Sequence, residues 1–198
     1  MYAKRFPIPE FNHEEFKNME WTPPAYLSQD QTSELIEWQK AGDTSVYGCY
    51  PVQASEELYA AFSVHGAHRH AVMCVMPDKE VKLLGRSYAW RIQRALVLDS
   101  LDPGVAKVLF SWKTPRPMNI KLGPTNGVSM DGGIVYAICG HAVGSNWVGN
   151  RTILQHNGQG SSTEHGLTIL SSSEDDINDF HECNLYFRWS EAGQVSRN

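Results

Sequence analysis

VKLLGRSYAWRIQRALVLDS, Val81 to Ser100, is the stretch on which the reading of the fold turns. Its beginning, together with Glu80, has the apolar character of a short strand over 80–84. From Ser87 the spacing changes. Tyr88, Ile92, Ala95 and Leu96 fall at i, i+4, i+7 and i+8, which is one face of a helix. Ser87 stands where a cap belongs, and Asp102-Pro103-Gly104 stands where a helix must stop. The spacing predicts a helix from Ser87 to Ser100, with Arg91 and Arg94 projecting together from another side of it.

Outward from this stretch the texture is that of strands and turns. Ala60 to His65 and His70 to Met76 read as a hairpin, and Pro77-Asp78 separates it from the strand at Glu80. Val105 to Trp112 is apolar but of undecided type, and Pro115, Pro117, Gly123, Pro124 and Gly127 read as a long loop. Further strands are expected at Ile134–His141, Arg151–His156, Leu167–Ser172 and Glu182–Trp189. The last alternates clearly, with Cys183, Leu185, Phe187 and Trp189 on one face. One helix among several strands, without a βαβ rhythm or a repeat, indicates an α+β fold. The expected form is a single compact domain, mainly antiparallel sheet packed with one or two helices.

Residues 1–45 differ. They hold Pro7, Pro9, Pro23 and Pro24, many polar residues, and one helix candidate near Ser33–Lys40. This reads as a flexible N-terminal arm, followed by a globular domain over 46–198.

Composition is ordinary for a globular chain, at 41% hydrophobic and 20% charged residues. No apolar run approaches the roughly 20 residues of a membrane helix, and the first residues lack the apolar stretch of a signal peptide. Both observations read as a cytosolic protein. Cys49, Cys74, Cys139 and Cys183 form no CxxC pair and read as buried free thiols. The net charge of −5 argues against a generic polyanion binder. The charge is uneven, however. Between Lys79 and Lys121 nine basic residues face three acidic ones, so Arg86, Arg91, Arg94, Lys113 and Arg116 read as a basic patch for anionic lipid headgroups or nucleic-acid phosphates.

Catalytic signals are weak. His65, His68 and His70, with Cys139 and His141, are the candidate metal or hydrolase residues, yet no carboxylate stands at a recognised ligand spacing. Cys139 and His141 point the same way on a strand, without the reach to orient one another. Ser129, in Gly-Val-Ser-Met-Asp-Gly-Gly, reads as part of a turn and not as a nucleophile. The chain therefore reads as no enzyme, with no cofactor and no metal.

Trp21-Thr-Pro-Pro-Ala-Tyr-Leu27 contains the PPxY pattern Pro23, Pro24 and Tyr26, a polyproline II ligand of the kind WW domains bind. Trp21 and Tyr26 are also suited to anchor the arm on its own domain or on a second copy.

A proline-rich arm with PPxY, one α+β domain, no catalytic motif and a basic block together resemble a matrix protein of an enveloped negative-strand RNA virus, and most of all the lyssavirus-like rhabdovirus matrix family. Val81–Ser100 is similar to that family's first domain helix and the strand before it. Arg151–Gln155 and the acidic stretch Glu174–Asp179 continue the likeness. The resemblance implies a structural protein that self-associates beneath the envelope, bridges nucleocapsid and membrane, and recruits a host WW-domain ubiquitin ligase through Pro23, Pro24 and Tyr26 for budding. Implied partners are a second copy, that ligase, an anionic membrane surface, the nucleocapsid and RNA. The implied locations are the host cytoplasm, the inner face of the host membrane and the virion. The alternatives are a cytosolic adaptor that meets WW domains, and a metal-dependent or cysteine hydrolase.

Overall fold

The structure, a computed structural model, describes residues 25–42, 47–114, 118–122, 128–161, 164–173, 180 and 182–190. Within them the chain forms a β-sandwich with two helices against one outer face. The elements in order are α1 (Gln29–Lys40), β1 (Gly48–Val52), α2 (Glu56–Ala61), β2 (Val64–His65), β3 (Ala71–Val75), β4 (Glu80–Ala89), β5 (Gln93–Leu98), β6 (Val108–Lys113) and β7 (Met118–Leu122). They continue with β8 (Val128–Asp131), β9 (Ile134–Val143), β10 (Asn146–Gly149), β11 (Arg151–Ser161), β12 (Glu164–Ser172) and β13 (Asn184–Ser190).

The first sheet is built around β9, the long central strand. β5 and then β6 lie on one side of it; β3 and β1, and further along β10 and β2, lie on the other. The second sheet runs β11, β12, β13, β4, with β7 and β8 both on β4. Every pair is antiparallel except β10 with β2. The expected compact α+β domain of mainly antiparallel sheet is found, and the two helices among the described residues lie elsewhere than the helix expected at Ser87–Ser100.

Alternation along the strands makes two cores. Cys49, Cys74, Val97, Ala137 and Cys139 of the first sheet meet Leu83, Leu167, Ile169, Leu185 and Phe187 of the second. On the first sheet's other face, Tyr50, Met73, Leu98 and Ile138 pack under Leu35 of α1 and Leu58 and Tyr59 of α2. Burying one Leu or Phe side chain stabilises by about 1.5–3 kcal/mol, so these layers are the main source of order. α1 is capped as the chemistry of its start requires. Ser28 Oγ accepts from the Gln31 N–H, and the Gln31 side chain accepts from the Ser28 N–H. Leu35 is fully buried, so this part of the segment read as an arm belongs to the folded unit.

Val81–Ser100 is not a strand followed by a helix. It is two strands in different sheets, β4 and β5, joined by a corner at Trp90–Ile92. β5 lies between β9 and β6 with both of its faces covered, so nearly all its residues are buried. A strand covered on both sides loses the polar alternation that would identify it. The accidental i, i+4, i+7 spacing is then the louder signal. In consequence Arg91, in the corner, and Arg94, on β5, part company: Arg91 bonds His141 and the Ser173 carbonyl, whereas Arg94 bonds the Phe62 carbonyl. The expected hairpin is corrected as well: residues 56–61 are α2, β2 pairs with β10, and β3 pairs with β1 and β9. Ser129 lies on β8, donating to Glu80 at 2.6 Å.

Candidate functional site

β5 presents its residues alternately to the inter-sheet core and to the outer face. On the outer face Arg94 stands between Lys113 of β6 and Gly140 of β9. Trp147 rises from β10 on the far side of Gly140, whose own partner on that strand is Gly149. Gly140 is needed here: a Cβ would come within 2.8 Å of the Val148 carbonyl oxygen. The missing side chain lets β10 approach and leaves a recess walled by Val64, Leu96 and Ile138, with Arg94 and Trp147 at its sides.

The electrostatics of this recess are one-sided. The Arg94 guanidinium carbon lies 5.3 Å and Lys113 Nζ 5.2 Å from the Trp147 ring centre, both within cation–π reach. Arg94 Nη1 donates to the Phe62 carbonyl at 3.1 Å, which ties the guanidinium to the last turn of α2. Burial pushes the Arg94 pKa below its usual value, since desolvation disfavours the charged form. Among the described residues, neither Arg94 nor Lys113 forms an ion pair, and the Lys113 ammonium and the Trp147 indole N–H have no hydrogen-bond acceptor. The recess itself is small and apolar, and the positive charge lies at its edge, where Arg94 and Lys113 meet Trp147.

Other polar groups are engaged within the protein. Asn150 Nδ2 donates to Gln93 Oε1 and to Ser171 Oγ, both at 3.0 Å. Its Oδ1 must then accept from His141 Nδ1 at 2.7 Å. His141 Nε2 accepts from Arg91 Nη1 at 3.1 Å, and the same nitrogen of Arg91 donates to the Ser173 carbonyl. Ser171 Oγ donates to the Cys183 carbonyl. This network joins the two sheets and leaves neither ring nitrogen of His141 poised as a base.

Tyr26 shares a 2.6 Å hydrogen bond with His70 Nδ1, and Leu27 N–H donates to the Pro51 carbonyl. The tyrosine of the PPxY pattern is thus docked on its own domain, although its side chain is still 40% exposed. Desolvation lowers the His70 pKa to about 4, aided by the nearby His68. Burial also raises Tyr59 to about 12, and its hydroxyl donates to the Arg69 carbonyl. Arg69 in turn forms a two-pronged ion pair with Glu56 at 2.5 and 2.8 Å. His65, His68 and His70 do not make a metal site: among the described residues, no three His, Cys, Asp or Glu side chains converge to hold an ion. Cys139 and the other cysteines are buried free thiols. Desolvation pushes the Cys74 thiol far up, which suits packing and not nucleophilic attack.

Of the residues read as a basic patch, Arg94 and Lys113 are brought together and Arg91 is turned away into the sheet junction. Arg86 has its place on β4 opposite Asn184. Arg116, Trp21, Pro23 and Pro24 lie outside the described residues. Trp147 was missed, because β10 is only four residues long and follows a tight turn at Gly144. No alternation can develop over so short a strand.

No protein-family profile matches the chain, and no curated protein matches it. Similar solved structures include a Chromobacterium violaceum lectin in complex with α-methyl-fucoside, at 9% identity and a TM-score of 0.44, covering 61% of this chain and 96% of that one. The C-terminal domain of a Burkholderia cenocepacia lectin gives 15% identity and a TM-score of 0.43, covering 60% and 93%. A Ralstonia solanacearum high-affinity mannose-binding lectin gives 12% identity and a TM-score of 0.42, covering 61% and 96%.

The rhabdovirus matrix resemblance does not hold. The helix that carried the likeness is a pair of strands, and no profile of a matrix family matches the chain. With it go the expected functions in budding and in WW-domain adaptation, and the expected ligase, membrane, nucleocapsid, RNA and self-association partners.

Proposed function

We propose that this chain is a non-catalytic binding protein that captures an oxyanion-bearing ligand in the recess between Arg94, Lys113 and Trp147. The observation that carries this reading is the pair of cations, Arg94 and Lys113, held over the Trp147 ring beside a small apolar recess. Among the described residues neither cation forms an ion pair with a carboxylate, and the recess beside them is lined by apolar surface. A half-buried cation without a counter-charge is unfavourable, and an anion seated beside it relieves that penalty. The matching ligand carries a carboxylate or phosphate next to a ring or other apolar body. The anionic group meets Arg94 and Lys113, and the apolar body lies against Trp147 at the edge of the recess.

Calorimetric titration tests the reading with charged and neutral analogues: phenyl phosphate and glucuronate against phenol and glucose. Binding of the charged pair alone, weakening as salt is raised, is the expected result. Equal binding of charged and neutral compounds, or binding unchanged by Lys113→Ala, would overturn it.

A further inference from the structure

We propose that Cys49 and Cys74 are a disulfide-forming pair that latches the end strand β1 to β3. The two residues are direct cross-strand partners in the β1–β3 register, and both side chains point into the inter-sheet core. Their sulfurs are 3.9 Å apart, already in contact, although 25 residues separate them in sequence. Directly opposed residues of antiparallel strands have Cα atoms about 4.5–5.5 Å apart, inside the range of about 4.4–6.8 Å that a disulfide spans. Closing the sulfurs to the roughly 2 Å of a bond therefore takes side-chain rotation and a slight approach of the strands. β1 can supply that approach, since among the described residues it lies at the end of its sheet and pairs with β3 alone.

The chemistry requires a two-electron oxidant, and a peroxide is the class proposed. One thiol attacks the peroxide, giving a sulfenic acid and water. The second thiol displaces the sulfenic oxygen as another water, forming the S–S bond. Two thiol protons and two electrons leave the protein, and one peroxide is reduced to two waters. Both thiols are buried, and burial raises the Cys74 thiol, so the closed fold reacts slowly. Local opening of the end strand exposes the pair, and the bond once formed holds β1 in place. The N-terminal segment hangs on this strand through Leu27 N–H and the Pro51 carbonyl. The latch thus secures that docking too.

Peptide mapping of the full chain, treated with hydrogen peroxide under native conditions and then alkylated, is the test. The expected result is a linked peptide pair joining Cys49 to Cys74, lost on adding dithiothreitol. The oxidised protein should also melt roughly 5–10 °C higher than the reduced form. A link from Cys139 to Cys183 instead, or sulfinic acid at Cys49 with no link, would overturn the proposal.

Discussion

Arg94 and Lys113 stand directly opposite one another on β5 and β6, two cations at a cross-strand position where opposite charges would stabilise the sheet. Trp147 offsets part of this repulsion, because each cation–π contact contributes about 0.5–1 kcal/mol. The arrangement is tolerated rather than favourable until an anion lies between the charges.

Lys113→Ala should therefore separate stability from binding. It removes a like-charge contact along with a cation–π contact, so the unfolding free energy should change by less than about 0.5 kcal/mol. Affinity for phenyl phosphate should fall about tenfold or more, the value of a charge-assisted hydrogen bond. Urea unfolding beside calorimetry checks both halves.

Asn150→Ala should be among the most destabilising polar substitutions. It leaves His141 Nδ1 and Gln93 Oε1 without the partner that Asn150 supplies in a buried junction of both sheets. Unmet buried polar groups cost about 1–3 kcal/mol each, so a loss of about 2–4 kcal/mol is expected by equilibrium unfolding. An effect below 1 kcal/mol would mean that water or a shifted side chain replaces Asn150.

His70 sets a pH dependence. Its pKa is held at about 4 in the fold by burial and by His68, against about 6.5 in the unfolded chain. Between these values the unfolded chain binds more protons, so this contribution is complete above pH 6.5 and is lost as pH falls toward 4. The urea midpoint of the native protein should drop more steeply from pH 6.5 to 4.5 than that of His70→Asn. Tyr26→Phe removes the 2.6 Å hydrogen bond to His70 and should cost about 1 kcal/mol at pH 7. Parallel slopes for His70→Asn and the native protein would exclude His70 as the source.

The second sheet was largely legible. β13 alternates as read from Leu185 on, with Leu185, Phe187 and Trp189 buried and Tyr186 and Arg188 half-buried, because a strand with two unlike faces writes its period into the residue types; Glu182 and Asn184, read onto the other face, are buried as well. Strands β11 and β12 were located as well, β9 was found as an apolar run after a glycine turn although both of its faces are covered, and α1 was read only over Ser33–Lys40, without its first turn. β5 was illegible because helices and a second sheet cover both of its faces. The candidate site was half legible. Arg94 and Lys113 were picked out by charge, but their pairing depends on strand register. Trp147 reaches them only through a glycine in the strand between, a relation with no local signature.

Nuclear magnetic resonance of the indole N–H signals tests the oxyanion recess most directly, with the Trp147 signal assigned from Trp147→Phe and phenyl phosphate added stepwise. Expected is a saturable shift of Trp147 that exceeds those of the other indoles, is suppressed in Lys113→Ala, and is absent when phenol replaces the phosphate ester. A Trp147 signal that stays in place while phenyl phosphate shifts other tryptophans would contradict the assignment of this recess as the binding site.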